Sequence, residues 1–188
     1  MGWKDQAMDE QLLIAACKRG ESGACKSLYE LYAPAMMGGC MRYVNDRETA
    51  RDLLQDGFVK IFTKIDTYSG KGAFAGWVRR VFVTTALEYL RNNNILDEAV
   101  SLDEFDRDIE DANADTLKKL SAEDLQQCIA ELPSGYRTVF NLYAIEGYTH
   151  AEIAEILNVT TSTSHSQFMR ARNLLQKKIR ILMQENAK

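Results

Sequence analysis

The stretch THAEIAEILNVTTSTSHSQFMRAR, residues 149–172, carries the signals of two helices and of the turn between them. Thr149 and Glu152 match a capping box, in which the Thr149 hydroxyl and the Glu152 carboxylate each accept a hydrogen bond from a backbone amide. Asn158 tolerates the left-handed backbone conformation that often ends a helix. The sequence therefore predicts a short helix that begins at Thr149, a turn at 158–160 and a second helix that begins near Thr161.

The side chains of this second helix sort onto two sides when each residue is rotated by about 100° from the last. Ser164, Phe168, Ala171 and Leu175 fall on the side that packs inward. This pattern is typical of a helix-turn-helix, whose second helix enters the major groove of DNA; an ordinary helical hairpin is the alternative. The candidate contacts with duplex DNA are Thr161, Ser162, His165, Ser166, Met169, Arg170 and Arg172.

The rest of the chain also has helical periodicity. Apolar residues recur at spacings of three and four, alternation typical of strands is scarce, and the 188 residues include only two prolines. These features predict an all-α fold. We expect an N-terminal helical bundle, with breaks at 20–23 and Pro34 and helices over about 47–65 and 74–91. A further helix is expected over 121–132, with a cap formed by the residues from Ser121 to Asp124.

The formal net charge of −4 is unevenly divided along the chain. Residues 1–91 carry 13 Lys and Arg against 11 Asp and Glu, residues 92–120 carry 3 against 9, and residues 121–188 carry 7 against 7. The acidic segment 92–120 is therefore predicted to link two small helical domains, 1–91 and 121–188. Whether it is only solvated, or acts in autoinhibition or as a mimic of nucleic-acid charge, stays open.

Several classes of protein are not expected. The four cysteines form no C-x-x-C pair and the two histidines, His150 and His165, are not spaced as a shared metal motif. Neither a phosphate-binding glycine loop nor a nucleophile with a base and an orienting partner is recognisable, so we expect no enzyme, no metal and no cofactor. No segment has the roughly 20 apolar residues that span a membrane, and the N-terminus does not begin as a signal peptide. We expect a cytoplasmic protein without direct membrane insertion.

Two polar surfaces stand out in the first domain. One flank of the 47–65 helix displays Asp52, Gln55, Asp56 and Lys60, which fits either a solvated face or a partner site. The loop that follows surrounds Tyr68 with polar residues and two glycines, and a helix with arginines comes after it. Such a loop suits stacking and phosphate contact with single-stranded DNA, although the residues alone favour a surface loop beside a core aromatic pair.

Five runs of sequence resemble, in order, the extracytoplasmic-function group of bacterial RNA polymerase sigma factors. They are DLLQDGFVKIF at 52–62, FAGWV at 74–78, LPSGYRTVF at 132–140, GYTHAEIA at 147–154 and RAR at 170–172, the last of which closes the recognition helix in that family. The resemblance covers nearly the whole chain outside the acidic segment. The order of the matches, on both sides of a linker, separates such a factor from a stand-alone helix-turn-helix regulator that binds duplex DNA without polymerase.

The resemblance implies a non-catalytic subunit that binds core RNA polymerase and directs initiation at particular promoters. Domain 1–91 then corresponds to region 2, which binds polymerase and recognises and melts the −10 element, and domain 121–188 to region 4, which recognises the −35 element through the seven candidates above. The implied polymerase contacts are Asp52, Leu53, Gln55, Asp56, Val59 and Lys60. The implied −10 contacts are Thr67, Tyr68, Ser69, Lys71, Arg79, Arg80, Val83, Thr84 and Arg91, with an unstacked base held in the 67–73 loop. The implied partners are core polymerase, promoter DNA and an anti-sigma factor.

The chain departs from the family pattern where promoter choice is expected to lie. Val83 and Thr84 stand where the family commonly has Arg and Asn, and Glu88 stands where Asp is usual. In the recognition helix, Ser164 replaces a usual Val and Gln167 a usual Arg. The promoter sequence therefore does not follow from the resemblance.

Overall fold

The computed structural model describes residues 3–93, 95–97 and 121–186, and within these ranges the chain is helical and contains no strand. The chain divides into two compact units, Met1–Tyr89 and Leu90–Lys188. The eight α-helices of these ranges are α1 Trp3–Lys18, α2 Ser22–Met41, α3 Arg47–Lys64, α4 Phe74–Asn92, α5 Ala122–Ala130, α6 Ser134–Phe140, α7 His150–Leu157 and α8 Thr161–Asn186. Short 3-10 turns span Ile65–Thr67 and Ile95–Asp97, and a π-helical segment spans Asn141–Ile145. The all-α fold class is thereby confirmed.

The first unit is a bundle in which α1 and α3 both pack against α2. The predicted break at Pro34 is wrong, because α2 runs through this proline. Leu28, Tyr32 and Cys40 of α2 are buried on both sides of it. Their packing outweighs the backbone hydrogen bond that a proline cannot make.

The long helix α3 begins and ends where the sequence predicts. Asp46 caps it, accepting a hydrogen bond from the Thr49 amide at 2.6 Å. Gly57 lets the helix approach α4 closely, because a Cβ at this position would stand 2.2 Å from Cε1 of Phe82. The glycine in the DLLQDGFVKIF run is therefore a packing requirement.

In the second unit the predicted caps are present. Ser121 with Asp124 and Thr149 with Glu152 both form capping boxes, at the starts of α5 and α7. Asn158 ends α7 in the left-handed conformation, with φ of 55°. The turn at 158–160 and the start of α8 at Thr161 follow as predicted, so this segment has the helix-turn-helix arrangement of elements.

The last helix is longer than the family resemblance suggests. Arg172 does not close it, since α8 continues to Asn186. A core cluster formed by Cys128, Leu132, Tyr136, Ala171, Leu175 and Ile179 explains the extension. The C-terminal half of α8 thus supports α5 and α6 rather than contributing to a DNA-recognition end. Among the described helices, none is long and apolar enough to cross a membrane.

Candidate polymerase and nucleic-acid interfaces

The outward flank of α3 is the candidate partner surface of the first unit. Asp52, Gln55 and Asp56 are exposed there, and the Val59 side chain beside them is 64% exposed. An apolar side chain next to carboxylates gives the flank a mixed surface of the kind that protein partners cover. Lys60 donates a hydrogen bond to Glu88 of α4 at 2.5 Å, so its ammonium is already paired.

Leu53 does not belong to this surface. Its side chain is only 2% exposed, because it points into the core formed by the bundle. The expected direct contact between Leu53 and polymerase is therefore corrected to a packing role.

The loop between the Ile65–Thr67 turn and α4 exposes most of its residues. Thr67, Ser69 and Lys71 are accessible, and the backbone has positive φ at Gly70 and Gly72. Tyr68 is 5% exposed, with its ring centroid 5.0 Å from that of Phe74 and 5.8 Å from that of Trp77. The expectation that Tyr68 stacks on a base is therefore corrected, since its ring and that of Phe74 belong to the core.

The helix α4 presents a basic side to solvent. Arg79, Arg80 and Arg91 are exposed along it. Thr84 is also exposed, but its hydroxyl donates to carbonyls of its own helix, 3.0 Å from that of Arg80 and 2.9 Å from that of Val81. Val83 is 4% exposed and faces the core, so its expected contact with DNA is corrected as well.

The N-terminal end of α8 presents the predicted row of polar side chains. Thr161, Ser162, His165 and Ser166 are exposed there, and Met169 is 37% exposed. The Thr160 hydroxyl caps the helix by accepting a hydrogen bond from the Thr163 amide at 3.0 Å. The small polar groups therefore lie where the dipole and free amides of a helix start favour the approach of phosphate.

The two arginines of this helix are less accessible than the polar row. Arg170 and Arg172 are half-buried, and an Nη1 of Arg170 donates to the Tyr136 hydroxyl at 3.3 Å. Further along, Lys178 is paired with Glu131 at 2.6 Å. Part of the positive charge that the sequence places after residue 158 is thus engaged within the domain.

A contact inside the helix-turn-helix was not foreseen from the sequence. Nδ1 of His150, at the start of α7, lies 3.0 Å from the hydroxyl of Ser164, which is completely buried in α8. The His150 ring stacks on Tyr143 with centroids 4.3 Å apart, and the His165 ring lies 4.9 Å away. Burial, and secondarily the charge of His165, lower the pKa of His150. The polar Ser164, where the family usually has Val, therefore has a polar partner.

Metal binding and thiol reactivity have little support in the ranges that the structure covers. Within them, no cluster of three or more His, Cys, Asp or Glu side chains is arranged to hold a metal ion. Burial raises the pKa of the Cys17 thiol to about 12 and that of Cys40 to about 11, which disfavours the reactive thiolate.

Comparison with known proteins gives two family matches in chain order. The model of region 2 of sigma-70 factors matches residues 28–95, and that of region 4 matches residues 122–175. The chain is 29% identical to the ECF RNA polymerase sigma-E factor of Haemophilus influenzae, with 95% of this chain and 99% of that protein covered. It is 27% identical to the RNA polymerase sigma-H factor of Pseudomonas aeruginosa, with 96% and 98% covered.

A solved structure has the same fold. It is the sigma factor RpoE of Bartonella quintana in complex with the anti-sigma factor NepR, with a TM-score of 0.51 and 20% identity. The match covers 83% of this chain and 96% of that one.

Proposed function

Because the chain belongs to the extracytoplasmic-function group of RNA polymerase sigma factors, we propose how its surfaces divide the work of promoter-specific initiation. The observation that carries this proposal is the order of the two family matches, region 2 before region 4, with candidate surfaces exposed in both. Domain 1–91 binds core polymerase and the −10 element, 92–120 links the domains, and 121–188 recognises the −35 element. Polymerase supplies the chemistry, so the factor itself catalyses no reaction.

On the first unit, the flank formed by Asp52, Gln55, Asp56 and Val59 binds core polymerase, with Lys60 at its margin. The 69–73 loop, which follows α3 in the chain, and the arginines of α4 bind the melted −10 strand. Capture of an unstacked base offsets part of the few kcal/mol that unstacking costs, and so favours the open duplex. Thr67, Ser69, Lys71, Arg79, Arg80, Thr84 and Arg91 remain the proposed contacts.

On the second unit, the exposed start of α8 enters the major groove of the −35 duplex. Thr161, Ser162, His165 and Ser166 are nearest to the bases, while Met169, Arg170 and Arg172 follow along the groove and towards the phosphates. The side chains at the start are short. Close approach of the helix end to the bases is therefore needed for direct recognition.

Control by an anti-sigma factor is also proposed, since the structural relative from Bartonella quintana is itself bound to one. Such a partner would compete with core polymerase for the exposed flank of α3. The cytoplasm is the proposed location, because polymerase and promoter DNA are found there.

Two charge variants test this division together and serve as controls for each other. Asp56→Arg places a positive charge on the proposed polymerase surface and is expected to weaken binding to core enzyme by about tenfold or more. Ser166→Glu places a negative charge against DNA and is expected to leave core binding unchanged while it abolishes selection of the −35 element. Binding to core enzyme is measured by fluorescence anisotropy. Promoter use is measured by in vitro transcription, with templates that carry the promoters whose start sites are mapped after induction of the protein.

A third variant controls for charge reversal as such. Glu21→Arg changes an exposed acid in the turn before α2, outside the segment matched to region 2, and should leave both measurements unchanged. Normal core affinity of the Asp56→Arg protein would contradict the proposed docking surface. Initiation by the unmodified factor at a level no higher than core enzyme alone would refute the proposed function.

A further inference from the structure

The loop 69–73 is held at both of its ends by one buried residue, Tyr68. The Tyr68 hydroxyl donates a hydrogen bond to the Gly72 carbonyl at 2.7 Å, which closes the loop across four residues. The Tyr68 ring packs against those of Phe74 and Trp77. The loop therefore has a defined shape, although Ser69, Lys71 and their neighbours are exposed.

A second hydrogen bond fixes the start of the loop from a distant part of the chain. Nζ of Lys18, the last residue of α1, donates to the Tyr68 carbonyl at 2.8 Å and lies 6.0 Å from the centroid of the Tyr68 ring. A charged donor makes a stronger hydrogen bond than a neutral one, and part of this contact is shielded from solvent. The lysine thus holds the backbone at the point where the chain leaves the core and enters the loop.

The helix that carries Lys18 is itself anchored to the bundle. Glu10 of α1 accepts a hydrogen bond from the Tyr32 hydroxyl of α2, and Ile14 and Cys17 of α1 are buried. This helix precedes residue 28, where the match to region 2 begins. The loop lies inside that match, so an element outside the shared region sets the geometry of a loop within it.

We propose that Lys18 and Tyr68 are positioning residues for base selection at the −10 element: together they hold the 69–73 loop in the shape that accepts one unstacked base. This inference rests on the function proposed above, in which the loop contacts the melted strand. A loop that is ordered before binding loses less conformational entropy when the base enters. It also presents its backbone groups in one arrangement, which favours one base over the other three.

The test uses holoenzyme reconstituted from the full chain and core polymerase. The probe is a library of DNA with a pre-melted −10 region, in which the non-template strand of that region and the −35 duplex are both randomised. Sequencing of the bound DNA gives the base preference at every position. Lys18→Met and Tyr68→Phe, which each remove one hydrogen bond and keep most of the side chain, are expected to lower the preference at one −10 position by about fivefold.

Preference at the −35 positions is the internal control, and it should be unchanged in both variants. Lys26→Met is the matched control, because Lys26 is an exposed lysine of α2 that lies 3.9 Å from Glu30 of the same helix. Lys18→Arg keeps a charged donor and should restore much of the preference. A general loss of folding would instead lower binding at all positions equally, and thermal melting of each variant checks for it.

The outcomes separate the two proposals. If the unmodified holoenzyme selects a base in the melted region and both variants select it equally well, Lys18 and Tyr68 have no positioning role. If the unmodified holoenzyme selects −35 sequences but no base in the melted region, the assignment of the loop to −10 recognition fails, and the positioning role fails with it. A loss confined to one −10 position in both variants is the result that supports the inference.

Discussion

Gly57 of α3 lies so close to α4 that its missing side chain matters for stability. A Cβ at this position would stand 2.2 Å from Cε1 of Phe82, and Phe82 is itself 4% exposed and packed edge-on against Phe58. Because an added Cβ would overlap this buried ring, we expect Gly57→Ala to lower the free energy of unfolding of the first unit by about 1 to 3 kcal/mol. Urea unfolding monitored by circular dichroism measures this change.

Gly38→Ala is the matched control for that substitution. Gly38 also lies within a helix, α2, but an added Cβ would meet no atom within 4 Å. There the change should raise the free energy of unfolding by roughly 0.5 to 1 kcal/mol, because alanine favours helices more than glycine does. Equal effects of the two substitutions would contradict the proposed role of Gly57.

His150 gives the second unit a dependence on pH whose sign follows from its surroundings. Burial against Tyr143 and the nearby His165 lower the pKa of His150 below its ordinary value of 6.5. As the pH falls below about 6.5, the unfolded chain binds a proton more readily than the folded domain does. The stability that neutral His150 contributes is therefore fully present above about pH 6.5, and it is lost as the pH falls from there through the lowered pKa.

Substitution of His150 separates this contribution from the rest. We expect the urea midpoint of the unmodified protein to decrease when the pH is lowered from 7.5 to 5.5. His150→Gln should make this decrease smaller, since glutamine does not titrate. His165→Gln should reduce it less, because the charge of His165 is the smaller of the two causes. An unchanged fall in the His150→Gln protein would show that other groups control the acid sensitivity.

For individual residues, the sequence predicted helix caps and backbone conformation better than the direction of the side chains. The caps at Ser121 and Thr149 and the left-handed Asn158 depend on neighbouring residues alone, and all three are present. Leu53, Tyr68 and Val83 were assigned to contacts by their positions in family motifs, and each is buried. For Val83 the signal was available, since Leu87 and Leu90 continue its face at helical spacing.

Among the elements, α5 and α6 depend on a buried charge for their connection. The Arg137 side chain is 3% exposed, and its Nη1 donates to the carbonyls of Ala130 at 2.5 Å and of Leu132 at 3.4 Å. It thereby satisfies the carbonyl of the last residue of α5, which no helical amide can reach, and a carbonyl of the turn that follows. Arg137→Met should lower the free energy of unfolding of the second unit by roughly 2 to 3 kcal/mol.

Guanidinium chloride unfolding of the full chain, followed at signals of the second unit, measures this loss. Lys177→Met is the control, because it removes an exposed cation from α8 and should change stability by less than about 0.5 kcal/mol. A similarly small effect of Arg137→Met would mean that water replaces the guanidinium at the helix end without cost.

The elements themselves were largely predictable, and the exceptions have tertiary causes. Helical periodicity gave the bounds of α3 and α4 to within a residue. It did not predict the π-helical segment, in which the Glu146 amide bonds to the Asn141 carbonyl five residues earlier and Tyr143 turns towards His150. Nor did it predict that α2 continues through Pro34, because the compensating contacts come from residues far away in the sequence.

For the whole molecule, charge decides whether the chain binds DNA without polymerase. The predicted linker 92–120 lies outside the described residues, apart from 92, 93 and 95–97. A solvated tether, autoinhibition and mimicry of nucleic-acid charge therefore remain predictions for it. Its nine acidic residues nevertheless make the chain net negative. Of the positive charges after residue 158, Lys178 is paired with Glu131, and Arg170 and Arg172 are half-buried. Part of the positive charge of the second unit is therefore unavailable for contacts with phosphate.

We accordingly expect the free chain to bind its promoter duplex with a Kd no tighter than about 1 μM at physiological salt, which is the range of non-specific binding. Replacement of the nine acids by Asn and Gln changes the formal net charge from −4 to +5 and should strengthen this binding and steepen its salt dependence. Fluorescence anisotropy over a salt series measures both effects. If the linker only repels DNA, promoter selection by holoenzyme stays unchanged in the neutralised variant; if it acts in autoinhibition, initiation rises as well. Tight, sequence-specific binding by the unmodified free chain, near 10 nM or below on the order expected of dedicated operators, would instead favour a stand-alone regulator.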